Sequence, residues 1–479
     1  MTLTNVIFLV YQVIAVLAII HVVMDNRQPA KTMAWALVIY FIPIIGILAY
    51  IFFGVNTRKE RYVSRRSLSQ LSRRSLLTFA EQYQLELPER HRPVIDLFTR
   101  QSESLPFGGN KVDICTSGYD FFPALLRDIA QATSHIHVDV YIFEDDPLGF
   151  LVSDALIARA KAGVEVRVIY DDVGCWSVDN RFFERMREAG IEVEPFLPVR
   201  FPKFTSKANY RNHRKLIVID GRVGYIGGMN IALRYVKGAA IAKGKALSPW
   251  RDTMARIEGH GIYSLQRAFL IDWYFVDRTL LNDRKYYPPT TAQAMGSGLL
   301  QTVTSGPVSP YPDIMQGYVR IILSARRYVY IETPYFLPNT VVLLALKTAA
   351  TTGIDVRILV PRHSDAWLTE WASRSYLREV TEAGAKVYLY EAGFLHSKLM
   401  VSDDSVCTCG STNIDFRSFE NNFEANTFFY DEDLSIRMRH IFLADEQQST
   451  PLQSLAQRMH PKFFARLWES ITRLFSPLL

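Results

Sequence analysis

Cysteine and net charge are both scarce in this sequence. Its four cysteines, at positions 115, 175, 407 and 409 of 479 residues, have no zinc-site spacing, and we expect small buried core residues. Nothing about them requires an oxidising compartment. The formal net charge is only +6, which gives no bulk attraction to nucleic acid.

Charge is also absent from two long apolar runs near the N-terminus. Leu3 to Met24 and Met33 to Val55 are each long enough to cross about 30 Å of hydrocarbon as a helix. With the polar loop Asp25 to Thr32 between them, they predict a transmembrane hairpin, kinked at Pro43 and Gly46. A cleaved signal peptide is disfavoured because no basic residue precedes the first run and a second run follows it.

Positive charge is concentrated directly after the second run, in Arg58, Lys59, Arg61, Arg65, Arg66, Arg73 and Arg74. The loop between the runs holds only Arg27 and Lys31. A solvated linker is the simplest interpretation of the basic stretch, but its position favours a cytoplasmic membrane-surface role. By the positive-inside rule we predict an integral, multi-pass protein whose large C-terminal part is cytoplasmic.

The remainder of the chain contains an internal repeat. Each copy alternates strands with helices that end in a glycine, at Gly163 and Gly190 in the first copy and at Gly353 and Gly384 in the second. This order predicts an α/β fold with a largely parallel sheet, made twice. We divide the chain into a hairpin anchor (1–56), a basic juxtamembrane linker (57–110) and two halves (111–290 and 291–479).

Each half carries one copy of a His-x-Lys-x4-Asp motif. The first copy is His213, Lys215 and Asp220; the second is His396, Lys398 and Asp403. An Asn follows at the same offset in each, as Asn230 and Asn413, after a turn of small residues. Because His and Lys two residues apart on an extended chain share one face, both side chains can contact one anion. We predict that the two motifs meet at a single site.

These residue types suit attack on a phosphodiester. One neutral imidazole attacks phosphorus, the other protonates the leaving oxygen, and the lysines neutralise developing charge, so that no metal or cofactor is required. Ser411, Asn230 and Asn413 can donate hydrogen bonds to phosphate oxygens. Asp252 and Glu424 can hold the second nitrogen of an imidazole, although a surface salt bridge is an alternative for Asp252. Asp220 and Asp403 are either catalytic or structural turn acids.

The duplicated motif resembles the phospholipase D superfamily. The apolar N-terminus, with Asn26-Arg-Gln-Pro29, Trp35 and Pro43-Ile-Ile-Gly46, and the ending Arg473 to Leu479 resemble bacterial cardiolipin synthases. The resemblance implies two similar α/β/α halves packed around one shared active site. It also implies phosphatidyl transfer between two phosphatidylglycerol molecules, giving cardiolipin and glycerol through a phosphatidyl-histidine. The superfamily's usual assignment would make His213 the nucleophile and His396 the general acid, but near-symmetric halves leave that order open.

One departure from the family pattern is Gly228, where many members have Ser. The alternatives to transfer are hydrolysis of phospholipid, or of nucleic acid, through the same intermediate, and a non-catalytic membrane scaffold. The expected partners are phosphatidylglycerol and anionic membrane lipid at a bacterial inner or plasma membrane, without nucleic acid; a homo-oligomer is compatible with the sequence. The C-terminal stretch Pro461 to Leu479 has amphipathic helical spacing, which fits either core packing or an interfacial helix.

Overall fold

Three helices form the N-terminal part: α1 (Leu3–Asp25), α2 (Pro29–Phe41) and α3 (Pro43–Phe53). This computed structural model describes residues 3–25, 29–54, 85–199, 209–238, 248–288 and 296–479, so the basic run at 58–74 lies outside the described residues. The second apolar run is divided at Ile42, because Pro43 has no N–H to continue the helix. Among the described residues, no helix meets the length and apolarity needed to cross a membrane.

The first half is an α/β unit preceded by α4 (Arg92–Gln101), which packs Val94, Ile95 and Phe98 into the core of the second half. Its elements, in chain order, are β1 (Phe107–Cys115), α5 (Gly118–Gln131), β2 (His135–Val140), α6 (Pro147–Lys161), β3 (Glu165–Asp171), α7 (Asn180–Glu188), β4 (Glu192–Phe196), β5 (Arg211–Asn212), β6 (Lys215–Ile219), β7 (Val223–Gly227), β8 (Met254–Glu258) and α8 (Ile262–Asp277).

The second half repeats this order and adds C-terminal helices. Its elements are β9 (Gly298–Ser305), α9 (Asp313–Ser324), β10 (Tyr328–Glu332), β11 (Phe336–Leu337), α10 (Thr340–Thr351), β12 (Asp355–Pro361), α11 (Trp367–Glu382), β13 (Lys386–Tyr390), β14 (Leu399–Ser402), β15 (Val406–Gly410), β16 (Ile414–Asp415), α12 (Phe416–Glu420), β17 (Asn422–Phe429), α13 (Glu432–Gln447), β18 (Ser449–Pro451), α14 (Ala456–Met459) and α15 (Phe463–Leu474).

The predicted glycine stops are confirmed at all four helix ends. Gly163, Gly190, Gly353 and Gly384 adopt φ values of 90°, 88°, 89° and 105°, in the region that a side chain disfavours. Each glycine lets the chain leave its helix and enter the next strand of the sheet. The repeat seen in the sequence therefore corresponds to two copies of one supersecondary pattern.

The sheet is mixed, and the prediction of a largely parallel sheet is wrong. Only β2–β3–β4 and β10–β12–β13 run parallel within it, apart from the short pair β5–β17. The motif strands β6 and β14 instead form antiparallel hairpins with β7 and β15. Asp220 and Asp403 both adopt positive φ at the tight turns that follow the motif strands. These turns reverse the chain at once, so β6 leads directly into β7, and β14 into β15, without a crossover helix.

The two halves share one 16-stranded sheet, because β9 pairs with β17 on one side and with β1 of the first half on the other. Apolar side chains from both halves form a common core cluster, including Val218, Ile226 and Val401. Cys407 and Cys409 lie in this cluster, and all four cysteines are buried, as predicted. The join fixes the halves against each other, with the motif strands β14 and β6 on opposite sides of the central strands β17, β9 and β1.

Candidate active site

Each motif histidine donates a backbone hydrogen bond to the opposite half. The His213 N–H donates to the Phe423 carbonyl at 2.9 Å, and the His396 N–H donates to the Arg251 carbonyl at 2.7 Å. His213 immediately precedes β6 and His396 precedes β14, at the ends of strands that lie in the shared sheet. The main chain therefore positions both histidines across the junction between the halves.

The residue after each of those carbonyls supplies a carboxylate to the same histidine. Glu424 accepts from His213 Nδ1, with Oε1 and Oε2 at 3.0 and 3.1 Å. The Ser411 hydroxyl and the Asn422 amide also donate to this carboxylate. Burial alone would raise the pKa of Glu424, but His213 and Lys215 hold it below its ordinary value. Glu424 therefore stays ionised and directs the proton of His213 to Nδ1, which leaves Nε2 free to act.

Asp252 contacts His396 at the same ring nitrogen, Nδ1, which Lys398 Nζ also approaches to 2.8 Å. Its Oδ2 lies 2.7 Å from His396 Nδ1, and its Oδ1 accepts from the Thr253 N–H at 2.7 Å. The Tyr235 hydroxyl lies 3.4 Å from the same ring nitrogen. Burial raises the pKa of Asp252 to about 6, against the opposing charge of Lys398. Asp252 and Glu424 thus each contact a motif histidine, and each one contacts the histidine of the other half.

Gly228 leaves space for that Asp252 carboxylate. A Cβ built on Gly228 would lie 2.1 Å from Asp252 Oδ1 and 2.7 Å from Oδ2, closer than atoms can approach. In the second half the matching residue, Ser411, instead donates its hydroxyl to Glu424. The departure from the family pattern thus has a steric cause: the first half lacks a hydroxyl because a carboxylate occupies its place.

Burial sets the charges of the four central side chains. It lowers the pKa of His213 to about 4, despite Glu424, and lowers that of His396 well below its ordinary value, helped by Lys398 and Lys215. Burial also lowers the pKa of Lys215 to about 7 and of Lys398 to about 8. Each ammonium donates to the carbonyl of its own motif histidine, at 2.6 Å for Lys215. The site therefore combines neutral imidazoles with lysines whose pKa values lie close to neutral pH.

Asp220 and Asp403 do not belong with the histidines. At about 3.3 Å per residue, each lies roughly 16 Å along the chain from its motif lysine, beyond the far end of the strand. Asp220 accepts from the N–H groups of Thr133, Ser134 and His135, and Asp403 from those of residues 326 to 328. The prediction of a catalytic role for Asp220 and Asp403 does not fit this position. Each clamps the start of the neighbouring strand, which is the structural alternative that the sequence left open.

The two asparagines are committed to protein contacts. Asn230 Oδ1 accepts from the Ile142 N–H at 3.1 Å, and its amide donates to the Tyr235 hydroxyl at 3.3 Å. The Asn413 side chain hydrogen-bonds to Asp415, and its main-chain N–H donates to Ser418. Both are buried, so they support the loops around the histidines, and any contact with a phosphate remains a prediction.

Beneath the histidines lies a polar layer that the sequence interpretation missed. On the first side, Asn212 donates to Asp139 at 2.6 Å. On the second side, Arg251 reaches from the first half to Asp445 at 2.7 Å and to Glu332 at 3.9 Å. Asp139 and Glu332 occupy matching positions in β2 and β10, so superposing the two repeats would have identified them. The repeat gives no comparable sequence signal for Arg251, because the carboxylates that it contacts, Glu332 and Asp445, belong to the other half.

Within the described ranges, no group of three or more His, Cys, Asp or Glu side chains is arranged to hold a metal ion. Positive charge at this site is carried by Lys215 and Lys398. Tyr141 adds an aromatic wall, with its ring 5.0 Å from that of His213 and 5.1 Å from Lys215 Nζ. The arrangement brings two imidazoles and two lysine side chains close enough for their charges to influence one another.

A family model described as "Cardiolipin synthase, PLD-like domain" matches residues 125–239 and 318–446, and a phospholipase D-nuclease N-terminal model matches residues 13–54. A cardiolipin synthase of Geobacillus sp. strain WCH70 is 38% identical over 461 residues, covering 95% of this chain and 90% of that protein. The major cardiolipin synthase ClsA of Bacillus subtilis strain 168 is 36% identical over 477 residues, covering 97% and 96%.

Among solved structures, phosphatidylserine synthase of Haemophilus influenzae Rd KW20 aligns with a TM-score of 0.63 at 15% identity. The alignment covers 81% of this chain and all of that one, and it shows a common fold. The paired motifs, their crosswise carboxylates and the near full-length relatives agree. The chain belongs to the cardiolipin synthase family of phospholipase D-like proteins.

Proposed function

We propose that this protein is a phosphatidyltransferase that makes cardiolipin and glycerol from two phosphatidylglycerol molecules. The observation that carries the proposal is the crosswise pairing of His213 with Glu424 and His396 with Asp252. Two oriented imidazoles can divide a phosphodiester transfer between nucleophile and acid. The near full-length similarity to curated cardiolipin synthases supports the same reaction and substrate class.

In the first step, Nε2 of His213 attacks phosphorus of one phosphatidylglycerol. Ionised Glu424 accepts from Nδ1 and stabilises the positive ring as the P–N bond forms. Lys215 and Lys398 stabilise the phosphoryl oxygens, and the anionic substrate raises the pKa of both lysines by its own charge. The anionic substrate also raises the pKa of His396, which is neutral in the protein alone and takes up a proton from solvent as the substrate binds. The P–O bond to glycerol breaks, and this protonated His396 gives its proton to the departing oxygen.

In the second step, the now neutral His396 takes the proton from a glycerol hydroxyl of a second phosphatidylglycerol. That oxygen attacks phosphorus, the P–N bond breaks, and His213 is released with cardiolipin formed. Two phosphatidylglycerols enter and one cardiolipin and one glycerol leave, so atoms and charge balance. Because the same histidine acts as acid and then as base, the reaction is reversible.

The structure supports His213 as the nucleophile through the contrast between the carboxylates. Glu424 has a lowered pKa and two further donors, whereas burial raises the pKa of Asp252 to about 6. A permanently ionised partner best stabilises a phosphorylated imidazole, which carries a full positive charge. A carboxylate of higher pKa suits a histidine that only exchanges a proton.

A product assay tests the transfer reaction. The purified full chain is incubated with phosphatidylglycerol in mixed detergent micelles, and the lipids and released glycerol are quantified. We expect cardiolipin and glycerol in equal amounts. Phosphatidic acid as the main product would instead assign the protein to hydrolysis.

We further propose that α1 to α3 attach the enzyme to the membrane. Their apolar side chains are widely exposed, including Leu17, Tyr40 and Ile44. The two-span hairpin predicted from the sequence is one form of this attachment, and it requires the loop before α2 to lie across the bilayer from the catalytic part. Against that form, Lys31 at the start of α2 lies 3.0 Å from Glu420 of α12.

A cysteine pair separates these two arrangements. Lys31→Cys with Glu420→Cys is expressed in membranes and oxidised, with Lys31→Cys alone as the control for accessibility. Cross-linking within the chain would place the loop beside the catalytic part and reject the two-span form. Labelling of Lys31→Cys only from the side opposite the catalytic part, without cross-linking, would establish two spans.

A further inference from the structure

The C-terminal helix α15 is bound to the protein through its polar side, the reverse of an ordinary amphipathic helix. Glu469, only 2% exposed, accepts from Arg378 of α11 at 2.8 Å, and Thr472 is fully buried. Arg473 donates to Glu379 at 2.8 Å and lies 3.9 Å from the Tyr376 ring. These contacts fix the rotation of the helix about its axis, so its apolar side faces outward.

We define the outward apolar face by its exposed side chains: Trp367, Leu368, Phe463, Phe464, Leu467, Trp468, Ile471, Leu474 and Phe475. Phe464 is 80% exposed and Leu474 is 78% exposed. Trp468 lies 5.7 Å from Trp367 at the start of α11, which extends the face beyond one helix. A continuous patch of this kind marks an interaction surface in a soluble part of a protein.

Charge identifies what the outward apolar face binds. The only acidic side chain between residues 462 and 479 is Glu469, and it is buried in its ion pair. Lys462 and Arg466 are exposed beside the aromatic residues. In α15, aromatic and aliphatic side chains are flanked by cations and no acidic side chain is exposed, which matches the boundary between acyl chains and negatively charged headgroups.

The position of the face agrees with this partner. The turn Ser476–Leu478 that follows α15 packs on α12, whose Glu420 pairs with Lys31 of the N-terminal helices. The strand after α12 carries Glu424, which holds His213. The short helix α12 therefore contacts the turn after α15 and the N-terminal helices, and it directly precedes the strand that carries Glu424.

We propose that the outward apolar face docks onto an anionic phospholipid bilayer, holding the second half against the surface that contains the substrate. The proposal rests on the lipid substrate proposed above. It adds a second membrane contact, separate from the N-terminal helices and formed by a helix whose polar side is fixed to the protein. Docking leaves α15 folded as it is and buries only side chains that are already exposed.

A fluorescent label tests docking in the full chain reconstituted into vesicles. All four native thiols are buried and burial raises the pKa of each, so a single introduced cysteine reacts selectively. Phe464→Cys carries an environment-sensitive fluorophore, in vesicles of phosphatidylglycerol and phosphatidylethanolamine. The His213→Ala background keeps the lipid composition constant. Glu184→Cys, on α7 at the opposite end of the sheet, is the matched control.

We expect a blue-shifted emission at position 464 that nitroxide-labelled lipids quench, and a water-exposed, unquenched label at position 184. Unquenched, water-like emission at 464 would overturn the proposal. A shielded label that lipid nitroxides do not quench, with shielding that depends on protein concentration, would also overturn it, because the face would then contact a second copy of the chain.

Turnover separates this proposal from the proposed reaction. The triple variant Phe463→Ser, Phe464→Ser and Leu474→Ser should keep its activity in detergent micelles and lose at least about tenfold in vesicles, since three apolar contacts with lipid are removed. Leu151→Ser, at a similarly exposed apolar position on α6, should lose nothing. Unchanged vesicle activity in the triple variant overturns docking, whereas a wild-type chain that makes no cardiolipin in either system overturns the reaction.

Discussion

The two halves differ most clearly in how each supports the other's histidine. The first half supplies Asp252, seated over Gly228, whereas the second supplies Glu424, which Ser411 and Asn422 also contact. In the first half the supporting carboxylate is shorter and occupies the space that Gly228 leaves. In the second half it is longer and accepts hydrogen bonds from more side chains. The comparison shows that a duplicated site can keep its symmetry of position while its two carboxylates acquire different proton affinities.

The charged side chains of the polar layer beneath the histidines also differ between the two halves. At the middle motif position the first half has Arg214, which donates to Asp272 and to the Glu424 carbonyl. The second half has Ser397 there, and its cation is Arg251, contributed by the first half. Each histidine is therefore surrounded by similar charges from different places in the chain, so a substitution on one side is not equivalent to its counterpart.

The largest expected effect distinguishes the two histidines. His213→Ala and His396→Ala should each lower kcat by at least about 10⁴-fold, since each group acts in both steps. With a phosphatidyl ester of p-nitrophenol, whose leaving group needs no proton, His396→Ala should still release one equivalent rapidly and trap lipid on His213. His213→Ala should release none. Rapid release from His213→Ala alone would reverse the assignment.

Replacing the supporting carboxylates should have the next largest effect. Glu424→Gln and Asp252→Asn should each lower kcat by about 10²- to 10³-fold, because the imidazoles lose the acceptor that sets their tautomer. Glu424→Gln should slow formation of the phosphatidyl-histidine in single-turnover assays. Asp252→Asn should mainly slow proton transfer, so an activated leaving group should restore its first step. Equal rescue of both variants would contradict the difference between the halves.

Gly228→Ala should disturb the first half alone. The new Cβ must displace the Asp252 carboxylate, so we expect a loss of about 1–3 kcal/mol in the free energy of unfolding and a fall in kcat of about 10- to 100-fold. Ser411→Ala, the matched change in the second half, removes one donor without a clash and should cost less in both measurements. Denaturant unfolding and steady-state turnover compare the pair, and a larger effect from Ser411→Ala would refute the steric account.

The smallest effect on turnover is expected from the strand clamps. Asp220→Asn and Asp403→Asn should lower the free energy of unfolding at pH 7 by about 1–3 kcal/mol, because three backbone N–H groups on each side lose a charged acceptor. Their effect on kcat should be less than about twofold at 25 °C, since neither carboxylate lies at the histidines. Asp403→Asn should be the more destabilising, because Arg90 also donates to Asp403. Larger losses of kcat than of stability would return these residues to the catalytic set.

The same clamps give a pH dependence. Burial tends to raise the pKa of Asp220, but hydrogen bonds from Thr133, His135 and Ser134 lower it below its ordinary value. A pKa lowered by folding stabilises the protein above the unfolded pKa of about 3.9, and that contribution is lost as the pH falls through the folded pKa. Acid unfolding of Asp220→Asn should therefore be less steep below about pH 4 than that of the wild type, as followed by circular dichroism.

Much of the site could be predicted because its reactive residues stand at a fixed short spacing in the sequence. The offset of two between His213 and Lys215 is repeated at His396 and Lys398, and in extended chain it places each His and Lys on one side of the backbone. The helix stops at Gly163, Gly190, Gly353 and Gly384 were equally local, since positive φ needs no distant partner. Arg251 and the clamps at Asp220 and Asp403 depend on atoms far along the chain, and no local pattern encodes them.

The sequence alone determined the duplicated motif, the α/β repeat and the amphipathic spacing of α15, because each depends on residues a few positions apart. Tertiary structure decided which carboxylate serves which histidine, since Glu424 and Asp252 cross a junction made by pairing β9 with β1 and β17. It also decided that α15 turns its apolar side outward, because Arg378 pairs with the buried Glu469 and Glu379 pairs with the half-buried Arg473. Sequence spacing determines which side chains share one face of a helix or strand. The residues packed against that element from elsewhere in the chain determine whether the face is turned inward or outward.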